Sequence, residues 1–398
     1  MMFTPKRAVA VVGLAAAALV ATACSGGTSE PAGSGDAAAP SGGTITIAAP
    51  LALTGSAGSV GLEVRNGAEL AIEEINAAGG IGGRELVLNA QDTAGDPAQA
   101  VQVVSSMSRD ADTIALLGPL LTPEVAAVYN SIAETGIVMI PPASLGAIPG
   151  VEGGEFNDWT FRVNQPLQYV ATPLIVKAIE ETDAKKVTVL GLSDNPTNKE
   201  IADWWEEGAK GAGVEVQRID FPNATTDFSA IATSIAPDSD VIAFSTLPSH
   251  TASLTALLRQ SGHKAQFLGE TAMLSHEVWD NSGGATLGAF AYSPFLPDAN
   301  DRAKAFTEAF TEKYDLPPSL FSALGYESIY LIAEAADENV TRDSLREGLS
   351  TLSGFEGVTG TLGYDGSGDV LRGEIPFVHI IDGGGVEKIG EIVPENAG

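Results

Sequence analysis

Two α/β lobes, each built on a parallel sheet, are the fold predicted by this 398-residue chain. Three observations predict it. The length exceeds a single domain at roughly 100–200 residues apiece. Short β-like runs alternate with helix-period segments, which implies right-handed crossovers and parallel strands. The alternation then starts afresh after Arg162. Hydrophobic residues make up 44% and charged residues 18%, so the chain can close real cores.

The first segment is a leader. Lys6 and Arg7 precede an apolar stretch of 13 residues, Ala8 to Val20, and the small residues Ala21, Thr22 and Ala23 follow. That stretch is too short to cross a hydrocarbon core of about 30 Å, so residues 1–23 read as a signal peptide. Cys24, the single cysteine of the chain, comes next. A lone cysteine in an exported chain has no disulfide partner. The segment resembles a bacterial lipobox, in which that cysteine is lipidated and becomes the mature N-terminus. Ala21 stands where that motif prefers Leu, and Ala-Thr-Ala also fits an ordinary secretory cleavage site. Residues 24–43 are rich in Ser, Gly, Ala and Pro and read as a lipidated N-terminus followed by a flexible tether.

The body opens with a β-like run, Thr44 to Pro50. Between Leu62 and Ala78, the residues Ala68, Ala71, Ile72 and Ile75 fall at helical spacing, and Gly79-Gly80 stops the helix. Glu85 to Ala90 is a strand. Asp96-Pro97 opens a helix, with Asp as its cap and Pro where a missing N–H costs nothing. Thr113 to Leu117 is a buried strand, Thr122-Pro123 opens the next helix, and Ile137 to Ile140 is the next strand.

In the second half a helix carries Val170, Leu174, Ile175 and Ala178 on one face. Strands follow at Val187–Leu192, Val214–Ile219, Val241–Ser245 and Gln266–Gly269, with helices between them. Leu287 to Ser293 is extended, and helical patterns run from Asn300 to Tyr314 and from Ser319 to Asp337. The end of the chain turns to β, with Gly366 and Gly368 marking a hairpin.

Charge narrows the partners. Lys and Arg number 21 against 51 Asp and Glu, a net charge of −30. Such a surface repels phosphate backbones, which excludes nucleic acid, and keeps an exported protein soluble.

The run AAPLALTGSAGSVGLEVRNGAELAIEEINAAGGIGGRELVLNAQDTAGDPAQAV, Ala48 to Val101, resembles the start of the type I periplasmic-binding-protein family, specifically its branched-chain amino acid and amide receptors. LLGPLLTPEVA (Leu116–Ala126), GIVMIPPAS (Gly136–Ser144), FRVN (Phe161–Asn164), LLRQSG (Leu257–Gly262), FLG (Phe267–Gly269) and ALGYESIYLIAEA (Ala323–Ala335) follow in the family's order. The likeness runs from Thr44 to about Ile381. It implies two doubly wound, Rossmann-like lobes joined by three crossover segments. Residues 44–163 with 295–372 would form the N-terminal lobe, and 164–294 with 373–398 the C-terminal lobe. A ligand would sit in the cleft and the lobes would close on it about a hinge.

The resemblance also implies a site. After the strand ending at Leu117, the loop through Leu120, Leu121 and Thr122 meets a helix whose free N–H groups favour a carboxylate. Thr122 matches a family hydroxyl there, although a Thr at a helix start more often caps its own helix. In the second loop Ala143 matches a ligand contact, while Leu145 stands where the family has Thr, so a hydroxyl contact is lost unless Ser144 supplies it. In the second lobe Asp194 fits the family pattern, but Asn198 replaces an aromatic wall, and near Leu247 the alignment slips. An acid after FLG commonly takes the ligand's ammonium. Glu270 is one position early and Thr271 holds the matching register, so Glu270 as a solvated loop charge is an equal alternative. Phe321 matches an aromatic of the cleft or, equally, a core residue.

Catalytic constellations are lacking. Gly191 to Asn195 lacks the closing Gly of a nucleophile elbow. His276-Glu277 begins like a zinc-protease motif, but Asp280 occupies the second His position. His250, His263, His276 and His379 have no ligand spacing. Asp365 to Asp369 faintly resembles a calcium loop, but Val370 replaces the required Gly. The expectation is therefore no enzyme and no cofactor or metal. It is a monomeric, extracytoplasmic receptor, held to the cell membrane by a lipid on Cys24, that delivers an amino-acid-like ligand to ABC permease subunits. A ligand sensor on the same fold, or a receptor for short amides, urea or aromatic acids, remains the alternative.

Overall fold

The structure is a computed structural model that describes residues 43–146, 157–364 and 368–395. The leader, Cys24 and most of the tether lie outside the described residues, as does Gly366 of the expected hairpin.

The first half alternates β1 (Thr44–Leu51), α1 (Gly58–Ala77), β2 (Glu85–Asp92), α2 (Pro97–Met107), β3 (Thr113–Leu117), α3 (Thr122–Thr135) and β4 (Val138–Ile140). These strands form a parallel sheet in the order β2-β1-β3-β4. Inner β3 is buried along its whole length, as a strand covered on both faces must be, whereas edge β2 alternates. Asp96 caps α2 as its sequence implies, accepting the Gln99 N–H at 2.7 Å, a bond worth about 1 kcal/mol.

The second half runs α4 (Ala171–Thr182), β5 (Lys186–Leu192), α5 (Pro196–Gly211), β6 (Glu215–Phe221), α6 (Ser229–Ser234), β7 (Val241–Phe244), α7 (Pro248–Gln260), β8 (Gln266–Gly269), α8 (His276–Ser282) and β9 (Phe290–Tyr292). The chain then returns to the first sheet with α9 (Asp301–Tyr314), α10 (Leu320–Ala335) and α11 (Arg342–Ser350), followed by the small antiparallel sheet β10 (Phe355–Gly357), β11 (Gly360–Tyr364) and β12 (Val370–Leu371). It ends on the second sheet with β13 (Ile375–Ile380) and β14 (Val386–Ile392). That sheet has the order β14-β13-β9-β8-β7-β5-β6, parallel from β6 to β9 and antiparallel at β13 and β14. The chain thus passes between two doubly wound sheets three times: after β4, after β9 and after β12.

The return of α10 is fixed by close packing on α1. A methyl group on Gly67 would run into the Ser322 carbonyl, and one on Gly325 into the Val64 carbonyl, so the two helices cross with backbones in contact. In the second lobe Trp205 of α5 is fully buried in the core shared with α4.

Each sheet also has a point where strand order reverses, between β1 and β3 and between β5 and β7. Open parallel sheets leave a crevice at such points, beyond the carboxyl ends of the strands.

Candidate functional site

The loops at those carboxyl ends line one cavity that is partly open to solvent. The first lobe contributes Ala57 and Val60 after β1, Leu121, Thr122 and Pro123 after β3, and Ala143 and Leu145 after β4. The second contributes Asn195, Thr197, Asn198 and Ile201 after β5, Leu247 and Pro248 after β7, and Glu270, Thr271 and Ala272 after β8. Phe321, in the first turn of α10, completes the wall.

Of the residues expected from sequence, Leu121, Thr122, Ala143, Leu145, Asn198, Leu247, Glu270, Thr271 and Phe321 line this cavity. Leu120, Ser144 and Asp194 do not. Leu120 is fully buried in the core beneath the loop. Ser144 is fully buried against Thr122. Asp194 is exposed, and its carboxylate accepts the Asn223 N–H at 2.6 Å.

The β3 end turns sharply. Gly118 has φ +119°, and a side chain there would collide with the Pro50 carbonyl. The chain then enters α3 at Thr122, with Leu121 as the capping residue. Glu124 reaches back to accept the Leu121 N–H at 3.0 Å, and burial pushes its carboxyl up from the ordinary value.

The Thr122 hydroxyl does not cap its own helix. Oγ1 accepts the N–H groups of Leu145 and Gly146, both at 3.1 Å, and lies 3.0 Å from Ser144 Oγ. With both lone pairs taken by N–H donors, its proton goes to Ser144. Thr122 therefore ties the β3 loop to the β4 loop.

In the second lobe Asn195 caps α5, and the Asn198 carbonyl accepts from Ser245 Oγ at 2.8 Å. Glu270 begins a short 3₁₀ turn and is 3% exposed. Its Oε2 accepts the Ala272 N–H at 2.6 Å and the Thr271 hydroxyl at 3.2 Å. Oε1 has no such bond. Burial pushes the carboxyl up to about 7, against the lowering effect of those two bonds. Among the described residues of the lining, Glu270 is the only ionisable one.

The lobes also touch beside the cavity. In α8 the His276 backbone N–H and Nδ1 meet Glu63 Oε1 of α1 at 3.3 and 3.2 Å, and Glu277 accepts from Ser59 Oγ. Burial works against a charged ring, but the Glu63 carboxylate overrides it and raises the His276 pKa. The His-Glu pair that began like a zinc motif thus serves contact between lobes.

Sequence reasoning passed over Ala57, Val60, Pro123, Asn195, Thr197, Ile201, Pro248 and Ala272 as site residues. They carry no chemical signature; their one signal is position, after strands that flank a reversal of order.

A family model described as periplasmic binding protein matches residues 44–385. The Leu/Ile/Val-binding protein homolog 3 of Brucella melitensis is 27% identical over 332 residues, covering 82% of this chain and 88% of that protein. The leucine-, isoleucine-, valine-, threonine- and alanine-binding protein of Pseudomonas aeruginosa is 28% identical, covering 82% of this chain and 87% of its own length. The branched-chain amino acid transporter substrate-binding protein LivJ of Streptococcus pneumoniae, solved with isoleucine, superposes with a TM-score of 0.80 at 25% identity, covering 88% of this chain and 99% of that one. The family match spans the first sheet, the second sheet up to β13, the three passes between them and the cavity, and the chain belongs to the type I periplasmic binding proteins of the branched-chain amino acid ABC transporter class, which are solute-binding proteins and not enzymes.

Proposed function

We propose that the protein is a lipid-anchored receptor that captures a small α-amino acid with an apolar side chain and presents it to an ABC importer. The observation that carries this reading is the cavity's chemistry: mostly apolar walls, three helix N-termini and, among the described residues, a single buried acid, Glu270. The walls suit an aliphatic body. The first turns of α3, α5 and α7 favour a carboxylate. Glu270 Oε1 suits an ammonium, which cannot enter a closed cleft cheaply without a counter-charge. The relatives named for leucine, isoleucine and valine support the same class.

In this reading residues 44–163 with 295–372 and residues 164–294 with 373–398 move as two bodies about the three crossover segments. Closing buries the ligand, and the Glu63–His276 and Ser59–Glu277 contacts belong to the closed form.

A thermal-shift screen tests the ligand class. Leucine, isoleucine, valine, alanine and threonine are compared with urea, acetamide and benzoate. A ligand at 100 times its dissociation constant adds about 2.7 kcal/mol to stability. At least one of the amino acids raises the melting temperature. A shift with benzoate or acetamide and none with any amino acid overturns the reading.

The anchor has its own test. Two acyl chains on a diacylglycerol hold a protein stably at a bilayer. Cys24→Ser therefore moves the protein from the membrane fraction to the medium, measured by fractionation and immunoblot. A variant that still sediments with membranes removes Cys24 as the anchor.

A further inference from the structure

Buried Arg162 lies on the first pass between the lobes, in the FRVN segment, and is 1% exposed. Its backbone N–H donates to the Gly368 carbonyl at 2.8 Å. Its Nε–H donates to Asp369 Oδ1 at 2.6 Å, and its Nη1–H donates to the Gly146 carbonyl at 2.5 Å. One side chain therefore holds Gly146 of the β4 loop to Asp369, which leads into β12 just ahead of the third pass between the lobes.

The Gly146 peptide is also part of the cavity's framework. Its N–H, with that of Leu145, occupies both lone pairs of Thr122 Oγ1. The Leu145 carbonyl accepts the Leu167 N–H of the second lobe at 2.8 Å. A side chain on Gly146 would press on Thr197 and Thr122, so this peptide sits where the two walls of the cavity meet. Moving the Gly146 carbonyl shifts Leu145 and Thr122 in the lining.

We propose that Arg162 is a positioning residue of the ligand site: its guanidinium clamps the Gly146 carbonyl to Asp369 and so couples the β4 loop to the segments about which the lobes move. The inference rests on the cavity being the ligand site. Arginine suits the task because its planar fork serves two acceptors at fixed separation, whereas a lysine ammonium is a compact point charge that satisfies one geometry at a time. Arg162→Lys keeps the charge beside Asp369 and gives up the second arm.

The test measures hydrogen exchange of the full chain without ligand. In the wild type the Leu145 and Gly146 amides are protected as strongly as those of β3. In Arg162→Lys they exchange faster by about tenfold or more, the scale of one lost hydrogen bond, while β3 amides keep their protection. Calorimetry with L-leucine shows a matching loss of affinity of about tenfold. Fast exchange of Leu145 and Gly146 in the wild type overturns the proposal without any variant. Unchanged exchange in Arg162→Lys overturns it, and so does an equal acceleration in β3, which marks general destabilisation. A wild type that ignores L-leucine counts against the amino-acid reading and leaves the exchange measurement to decide the role of Arg162.

Discussion

Glu270→Gln lowers the affinity for an α-amino acid by about 2–5 kcal/mol, the usual range for removing one partner of a buried charged pair. That is roughly 30-fold or more at 1.4 kcal/mol per decade. The substitution preserves shape and the bonds to Ala272 and Thr271, and removes the charge proposed to meet the ligand's ammonium. Among the described residues no second acid lines the cavity to take over. A carboxylate without an amine, or urea, binds the variant as well as the wild type. Calorimetry with the best amino acid of the screen decides the matter. Binding to both proteins within about threefold removes Glu270 from the site.

The same residue sets a pH dependence whose sign differs between the free and bound states. In the free protein burial lifts the Glu270 carboxyl from 4.5 to about 7. A folded-state value above the unfolded one means its stabilising contribution is complete below about 4.5 and is lost as pH rises through about 7. An ammonium ligand selects the ionised carboxylate, so affinity weakens as pH falls below that value, by about tenfold between pH 8 and pH 6. Glu270→Gln has neither dependence from this residue, and the free variant is more stable than the wild type at pH 8. A wild-type affinity that is flat over this range argues against ammonium recognition at Glu270.

The scaffold was more legible in the sequence than the site because scaffold signals are local. Asp96-Pro97 and Ser319 begin helices through bonds within one turn, and β3 shows its burial as an unbroken apolar run. The reading missed α11, where Leu345 and Leu349 are the only buried residues, too few to reveal a period. It also began α1 a turn late, because Gly58, Ser59 and Gly61 are poor helix formers held there by packing: Gly61 has no room for a methyl group beside the Ala52 carbonyl. The site is a different problem. Thr122 read as a helix cap or a ligand contact; it lines the cavity, and its hydroxyl serves amides 23 and 24 residues away rather than its own helix. Glu270 was ambiguous because nothing near it in sequence says that it is buried. Only the arrangement of the two sheets does.

Arg372→Met destabilises the folded protein by about 3–5 kcal/mol, the penalty for stranding a buried charge. Arg372, on the third pass between the lobes, is 6% exposed, and its Nη2 lies 3.9 Å from Glu327 Oε1 of α10, which is 1% exposed. Thr359 joins them. Its N–H donates to Glu327 Oε2 at 3.1 Å, its hydroxyl donates to Glu327 Oε1, and its own oxygens accept from Arg372. Arg372 also donates to the Val163 carbonyl at 3.1 Å, so it braces the first pass between the lobes from the third. Burial raises the Glu327 carboxyl, with Arg372 pulling it back down, and burial lowers the Arg372 guanidinium, with Glu327 holding it up. Removing Arg372 takes away the one nearby cation that favours ionised Glu327. Because Glu327 then titrates still higher in the folded state, the variant's deficit grows as pH rises above the ordinary carboxyl range and shrinks in mild acid, where Glu327 is neutral. Some loss persists there, since the Thr359 and Val163 carbonyls lose their donor. Replacing both charges, as Glu327→Leu with Arg372→Met, recovers much of the loss at pH 8, as apolar replacements of buried ion pairs often do. Urea unfolding of wild type, single and double variants at pH 5 and pH 8 measures this. A single variant as stable as wild type, or a deficit equal at both pH values, shows that Glu327 and Arg372 do not form a coupled pair.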